Sequence, residues 1–277
     1  LNDRQHFLNI RPFLLAETAD RQTDILNAGW QRGEVLGLET SYVVGDPTSN
    51  GYRFTATLAS YDRDNNSNHV SASSVEFVWN KTYNWIKNVN TRIGTGIGLG
   101  SNNMPTQLRW TIAGPTNYQL WRNEAWTGLL NLSNTIANDL WLAPTSSGLE
   151  GYLHPDNQVN PDVAGNNYML FTVWNSWKHD PRAYYELEWY MGAGRSWNGE
   201  FFGDNVFAVQ YNPEVLLSSG IGFTYDPAGI KALRKWIPQS DMLQKMKFSI
   251  RMPFFTYGVP GQNDFTPRLL FGISDSF

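Results

Sequence analysis

The chain has 277 residues, with 21 Lys and Arg against 25 Asp and Glu, a formal net charge of −4, and only 17% charged but 14% aromatic residues. A soluble domain averages about 25% charged residues; Asn, Ser, Thr, Gly and aromatics fill the deficit here, which supports neither intrinsic disorder nor a basic surface for nucleic acid. No window approaches the roughly 18 uninterrupted apolar residues of a membrane helix, which excludes a helical membrane protein.

The chain opens Leu1-Asn-Asp-Arg-Gln-His6, with neither an initiator Met nor a basic stretch leading into an apolar core, and is expected to have lost upstream sequence. The absence of Cys suits a chain that crosses an oxidising compartment. From there on, apolar residues recur with a period of two over about ten residues at a time, the strand signature. Residues 6–15 are the first expected strand. Residues 34–44 set Leu36, Leu38, Tyr42 and Val44 against Gly37, Glu39 and Ser41, and residues 51–63 set Tyr52, Phe54, Ala56 and Leu58 against Arg53, Thr55, Thr57 and Ala59. Asp46-Pro47-Thr48-Ser49-Asn50-Gly51 supplies the turn of this hairpin. Residues 85–99 read as one strand, with Val89, Ile93, Ile97 and Leu99 opposite Asn88, Asn90, Arg92, Gly94, Gly96 and Gly98. That small-residue face must point somewhere crowded or wet.

In residues 114–167 the period does not arbitrate. Ala125, Leu129, Leu132, Ile136 and Leu140 follow helical spacing, while Trp126, Gly128, Leu130 and Leu132 fit a strand, so a strand running into a long loop with a helical turn is expected. Residues 184–194 place Tyr185, Leu187, Trp189, Met191 and Ala193 opposite Tyr184, Glu186, Glu188 and Tyr190. Residues 205–223 read as one unusually long strand with Phe207, Val209, Tyr211, Val215, Leu217, Ile221 and Phe223 on a side. Residues 226–243, with Pro227 at a start position and a break at Pro238, are a candidate short helix. Met246, Phe248, Ile250 and Met252 then alternate with Lys247, Ser249 and Arg251, and Phe265, Leu269, Phe271, Ile273 and Phe277 share the final face. Turn-rich clusters separate the segments, and no linker, repeat or charge run divides the chain. A single domain over residues 1–277 is expected.

Amphipathic strands in this number suit either a soluble sandwich or a membrane barrel. A sandwich usually blunts its outer face with charge and Lys, whereas the polar faces here carry Asn, Ser, Thr, Gly, Tyr and sparse Arg and Glu, which suits a hydrated lumen. Tyr52, Tyr61, Trp79, Trp85, Trp177, Phe223 and Phe277 fall near strand ends, as interfacial aromatic girdles do. The expected fold is all-β: a closed antiparallel transmembrane β-barrel of about twelve strands with long extracellular loops.

The last segment, Phe265-Thr-Pro-Arg-Leu-Leu-Phe-Gly-Ile-Ser-Asp-Ser-Phe277, ends on an aromatic residue with apolar residues at alternate positions before it. It resembles the terminal strand of Gram-negative outer-membrane β-barrel (porin-like) proteins, and Asp275 departs from the pattern. The resemblance implies an outer-membrane location, a bilayer and lipopolysaccharide as surroundings, and recognition of Phe277 by the barrel assembly machinery. An even strand number puts both termini in the periplasm. The outer loops are then residues 16–33, 62–68, 100–106, 134–166, 195–204 and 258–264. Residues 226–243 are longer than a usual periplasmic turn.

Catalytic signals are sparse. Among His6, His69, His154 and His179, only His69 has a suggestive context: Asn68-His69-Val70-Ser71 puts His and Ser on one face of a strand and resembles part of the motif of outer-membrane phospholipase A. That motif continues with Asn-Gly-Arg, where this chain has Ala72-Ser73-Ser74. Asp156, Asn157, Asn160 and Asp162 offer oxygen ligands of the kind calcium takes, but without EF-hand spacing, and an ordinary solvated loop is the expectation. Gly94-Thr-Gly-Ile-Gly-Leu-Gly100 continues a strand and opens no helix, so it is no phosphate loop. No cofactor or metal is expected.

By the period-two assignment Arg11, Arg53, Arg92, Arg109, Lys247, Arg251 and Arg268 point inward, as do Glu39, Glu186 and Glu188. Cations on some strands and Glu186 and Glu188 on another wall would set a transverse field across a pore, and wall cations favour anions. In the competing arrangement the charges pair with one another and fill a narrow lumen, and about twelve strands leave room for either. The expectation is an outer-membrane channel for small polar, anionic solutes, narrowed by the loop around residues 134–166 and compatible with a homo-oligomer. Two alternatives are the barrel domain of an exporter of polysaccharide or protein, and an outer-membrane lipid hydrolase using His69 and Ser71.

Overall fold

The computed structural model describes residues 6–17, 33–46, 50–63, 69–105, 108–113, 126–131, 146–149, 164–180, 184–199, 215–226, 246–258, 265 and 268–275. They form the strands β1 (His6–Glu17), β2 (Gly33–Asp46), β3 (Asn50–Arg63), β4 (His69–Ile86), β5 (Val89–Gly100), β6 (Trp110–Ala113), β7 (Trp126–Asn131), β8 (Ser146–Leu149), β9 (Ala164–Gly165), β10 (Asn167–Trp177), β11 (Tyr185–Trp197), β12 (Leu216–Tyr225), β13 (Met246–Tyr257) and β14 (Arg268–Asp275). Eleven of them make one sheet in the order β1-β2-β3-β4-β5-β10-β11-β12-β13-β14-β7, every neighbouring pair antiparallel. The other three form a small sheet in the order β8-β6-β9.

Among the described residues the main sheet therefore has eleven strands where about twelve were expected, and one of its outer members, β7, is not the expected last strand. β14 pairs with β7 rather than with β1, and among the described residues β1 and β7 stand at the two ends. The strand reading of Trp126, Gly128 and Leu130 is the one realised, because β14 offers β7 a full ladder of backbone partners from Arg268↔Asn131 to Ile273↔Trp126. Residues 85–99 are not one strand. Ile86 pairs with Val89 across a two-residue turn in which Asn88 takes a positive φ of 67°, a conformation Asn tolerates better than most residues. The long strand expected from residue 205 is described from Leu216 onward, and residues 205–214, the candidate helix around residues 227–243, the oxygen-rich loop at residues 156–162 and Phe277 lie outside the described residues.

Call the end of the sheet where β1 finishes and β2 begins the upper end; the end of β2, the start of β3 and the turn at residues 87–88 then lie at the lower end. The register drifts across the sheet. Following Cα partners from Arg11 through Glu39, Thr57 and Ser74 to Gly100, the row starts five residues above the lower end of β1 and finishes eleven above that of β5. At about 3.3 Å per residue and about 4.8 Å per strand, that drift corresponds to a strand tilt of roughly 45°, the stagger by which a sheet curls around an axis.

The alternation in the sequence sorts side chains to two faces as expected, and exposure identifies which is which. Ile10, Leu14, Leu36, Leu38, Phe54, Phe77, Phe171, Leu187, Ile221, Phe223 and Ile250 are all exposed. The intervening positions carry glycines, small residues, paired ions and buried aromatics such as Tyr168 and Tyr190. Val44 departs from its side of the pattern and is buried. So does Tyr61 among the aromatics expected in a girdle: it falls on the inner register of β3 and is buried with Val35 and Ala59 against Phe13, Val70 and Leu108. Trp85 and Trp177 do sit exposed at the lower end, alongside Tyr83 and Tyr184. Polar groups on the outer face are satisfied locally, Thr91 Oγ1 donating to Asn175 Oδ1 at 2.7 Å and Thr95 Oγ1 to the Leu170 carbonyl at 3.0 Å. Among the described residues no helix is long and apolar enough to cross a membrane.

The small sheet belongs to the excursion between β5 and β10 and lies against the inner face of the wall. Met104, Trp110 and Leu149 from the excursion are buried with Tyr168 of β10 and Leu216 of β12. Inner-face glycines make this approach possible. A Cβ on Gly192 would collide with the Leu149 side chain, and one on Gly98 with the Tyr168 ring and Trp110. The small-residue face of β5 is crowded because aromatic rings lie flat on it.

Candidate lumenal site

Two features share the inner face: an apolar bridge near the upper end and a set of cross-strand charge contacts along the wall. The bridge centres on Leu108. It packs on Val35, Ala59 and Tyr61 of β2 and β3, and also on the cluster of Met104, Trp110, Leu149, Tyr168 and Leu216. Strands far apart in the sheet order thus meet the same excursion, so the wall curves around it. Leu108 is held where it is by the turn after Gly100, in which Met104 N–H donates to Ser101 O and Leu108 N–H to Pro105 O. Asn166 and Asn167, both buried, fasten the return of the excursion: Asn166 Nδ2 donates to the Gly100 carbonyl at 2.7 Å and Asn167 Nδ2 to the Gly199 carbonyl at 2.7 Å.

The charged residues pair across the wall, most of them between neighbouring strands and Arg251 with Glu188 across β12. Arg53 Nη2 of β3 meets Glu76 Oε2 of β4 at 2.8 Å, and the Tyr168 hydroxyl donates to the other Glu76 oxygen at 2.8 Å. Tyr168 in turn packs against Trp110, ring centroids 5.4 Å apart. One connected path therefore runs from the excursion through Trp110, Tyr168 and Glu76 to Arg53. Across the sheet, Arg251 Nε of β13 lies 3.4 Å from Glu188 Oε2 of β11, and Thr224 Oγ1 of β12 donates to Glu188 Oε1 at 3.0 Å. The guanidinium groups of Arg251 and Arg92 each sit 5.0 Å from the centre of the Trp174 ring, which stacks on Tyr190 at 4.6 Å. Such cation–π contacts help to hold guanidinium groups against a wall. Arg11 pairs with Glu39 at 3.1 Å, and Lys178 with Glu186 at 3.4 Å, both more exposed.

Of the residues predicted to face inward, Arg11, Arg53, Arg92, Glu39, Glu186, Glu188 and Arg251 occupy that face, and by register Lys247 and Arg268 hold inner positions on β13 and β14. Arg109 does not. It lies in the excursion just before β6, off the wall, where its Nε donates to the Met104 carbonyl at 3.1 Å and burial lowers its pKa from the ordinary guanidinium value. The expected segregation of cations and anions on opposite walls gives way to local pairing, because antiparallel neighbours bring Arg and Glu within reach across one strand boundary, or across the single strand β12 for Arg251 and Glu188. Glu76 was not among the predicted residues, although its signal was present: it stands between Val75 and Phe77, both exposed on the outer face. Trp110, Leu108 and Leu149 carried no such signal, since their partners are distant in sequence.

His69 and Ser71 are neighbours on β4, with Asp62 the Cα partner of His69 and Ser60 that of Ser71, and Ser71 is exposed on the outer face.

No protein-family model and no curated protein matches the chain. Among solved structures it is similar to Acinetobacter baumannii OccAB3, with 8% identity and a TM-score of 0.38 over 89% of this chain and 51% of that one. It is also similar to CdiB from Acinetobacter baumannii, with 11% identity and a TM-score of 0.32 over 88% of this chain and 42% of that one. The chain spans about half the length of OccAB3 and less of CdiB. Likenesses of this size name no family, and the functional reading rests on the geometry above.

Proposed function

We propose that the chain forms an outer-membrane β-barrel whose lumen passes small polar solutes, with a modest preference for anions, past a constriction made by the excursion around Leu108 and Trp110. The observation that carries this reading is the inverted sheet: Leu8 and Leu58 are 65% and 64% exposed, while the opposite face buries Ser41, Thr55, Thr172 and Ser218. In water so broad an apolar surface is an aggregation hazard; in a bilayer it is the lipid-facing band of a barrel. The anion preference is modest because Glu76 adds to Glu39, Glu186 and Glu188 and most wall charges are paired. Lys247 and Arg268 tip the balance. The barrel assembly machinery, reading Phe277, and lipopolysaccharide are its proposed partners.

The test is planar-bilayer recording on the detergent-extracted protein. Wild type is expected to give a small steady conductance, and Leu108→Ala with Trp110→Ala a larger one. Lys247→Glu with Arg268→Glu should move selectivity towards cations, less so at 1 M than at 0.1 M salt, because the Debye length falls from about 10 Å to about 3 Å. A barrel that inserts but carries no current in either form refutes the channel and favours the exporter reading.

One observation supports a second reading, a lipid hydrolase. The register of β3 and β4 gives Asp62, His69 and Ser71 positions on one outward face near the upper end, the residue types of a nucleophile, a base and its orienting acid. Fatty-acid release from phospholipid vesicles that disappears in Ser71→Ala would establish it, and wild type without such release would remove it.

A further inference from the structure

The ladder between β13 and β14 stops before either strand does, and on the barrel reading above, on which this inference rests, the stop lies within the membrane. The register runs from Met246↔Asp275 to Arg251↔Leu270. β13 nevertheless continues to Tyr257 beside β12, and β14 includes Leu269 and Arg268 beside β7. Pro253 explains the stop. Proline gives a sheet no donor and is confined to edges and bulges, and Pro253 stands at both. On one side the β12 register skips Phe254, passing from Gly220↔Pro253 to Ser219↔Phe255; on the other the β14 register is over. A second proline, Pro267, immediately precedes β14 in the chain.

The depth of the stop matters. Pro253 is seven residues above Met246, the lower end of β13. At about 3.3 Å per residue and a tilt of roughly 45°, that is about 16 Å along the axis, inside an apolar band about 25 Å tall. Lipid offers backbone groups nothing at that depth, and irregular backbone is tolerated there only against protein or along a water-filled cavity. A side-chain contact spans the place: Phe254, the bulged residue, meets Phe265, with ring centroids 5.3 Å apart, and Phe265 is 71% exposed. On the lumen side Gly220, the Cα partner of Pro253, lies beneath the Tyr190 ring, which stacks on Trp174. We propose that this place is a lateral portal, gated by the Phe254–Phe265 contact, through which small apolar or amphipathic molecules leave the lumen for the bilayer. Opening it separates two rings and breaks no bond of the β13–β14 ladder. The lining sets the class of molecule. Met252, Phe254 and Phe265 carry no charge, so a polar solute stays in lumenal water, whereas an apolar one gains by moving from the Trp174–Tyr190 shelf past the rings into acyl chains.

The test uses the full chain, secreted to the outer membrane of a Gram-negative host, and two measurements. Entry of N-phenyl-1-naphthylamine, an apolar dye that fluoresces in the bilayer, reads the portal in cells; planar-bilayer conductance of the extracted protein reads the lumen. Phe254→Ala with Phe265→Ala removes the gate. Phe254→Cys with Phe265→Cys, joined by a short bismaleimide, locks it, and the cysteine-free background confines the reagent to that pair. The same double-cysteine protein before joining is the folding control. Wild type is expected to speed dye entry over cells lacking the chain. The alanine pair should be about two- to tenfold faster still, the factor lost with one aromatic pair. The joined cysteine pair should fall to the level of cells lacking the chain, with conductance unchanged throughout. Current without added dye entry, or dye entry that joining the cysteines leaves unaltered, overturns the portal and leaves the channel standing. An inserted barrel that passes neither current nor dye defeats the channel reading and the portal with it.

Discussion

On β3 and β4 the outward side chains Phe54, Leu58, Val75 and Phe77 are exposed, whereas the inward Thr55, Ala59 and Ala72 of the same two strands are buried and Arg53 and Glu76 are bonded across the strand boundary. On the barrel reading, the outer face has chemistry without packing because its neighbour is a solvent of acyl chains. The inner face has packing that depends on particular shapes, glycine beneath tyrosine and carboxylate against guanidinium. The two faces should therefore answer to substitution by different rules. The outer one should tolerate changes of shape and reject charge; the inner one should reject changes of shape and tolerate polarity.

The largest expected effect is at a close inner contact on β12. A Cβ on Gly220 would collide with the Tyr190 ring, so Gly220→Leu should prevent the barrel from reaching the form that migrates differently before and after boiling, while Ile221→Leu beside it should migrate as wild type. Next comes Glu76→Ala, which leaves Arg53 without its carboxylate at a site where both side chains are only 17% and 16% exposed. A loss of about 3 kcal/mol is expected in denaturant unfolding from detergent. Arg11→Ala, which breaks a pair 43% and 29% exposed, should cost no more than about 1 kcal/mol. On the outer face, Leu58→Arg should cost about 2 kcal/mol or more in lipid and Leu58→Ala should cost less, leaving ion selectivity unchanged. If Leu58→Arg is neutral, that face does not meet hydrocarbon and the contrast between the faces fails.

The sequence read well wherever a property repeats every second residue. The faces of β2, β3, β5, β11 and β13 follow from alternation alone, because a strand has only two sides, and inner positions for Arg53, Arg92, Glu188 and Arg251 follow with them. Strand ends read less well. The turn at Lys87 and Asn88 is invisible to periodicity, since the register shift between Tyr83 and Ile86 offsets the parity change of a two-residue connection and leaves odd-numbered residues outward on both strands. Pairing between distant strands was not legible at all. Nothing local to Trp126–Asn131 announces β14 as its partner, and nothing local to Leu108 announces Val35 on one side and Tyr168 on the other. Glu76 was legible and overlooked; its partner Tyr168 was not, since the two stand 92 residues apart.

The drift of the register from Arg11 to Gly100 also bears on how charges are met by anything moving through the barrel. With the lower strand ends at one level, each step to the next strand along the hydrogen-bond direction climbs by about one and a half residues. Counted that way, Arg11 and Glu39 stand about five and about six and a half residues up, and Arg53 and Glu76 about four and about seven and a half, so the two pairs straddle one depth on adjoining stretches of the wall. On the channel reading a solute would meet the two pairs together as one charged band, and exchanging one pair would alter part of that band rather than a level of its own.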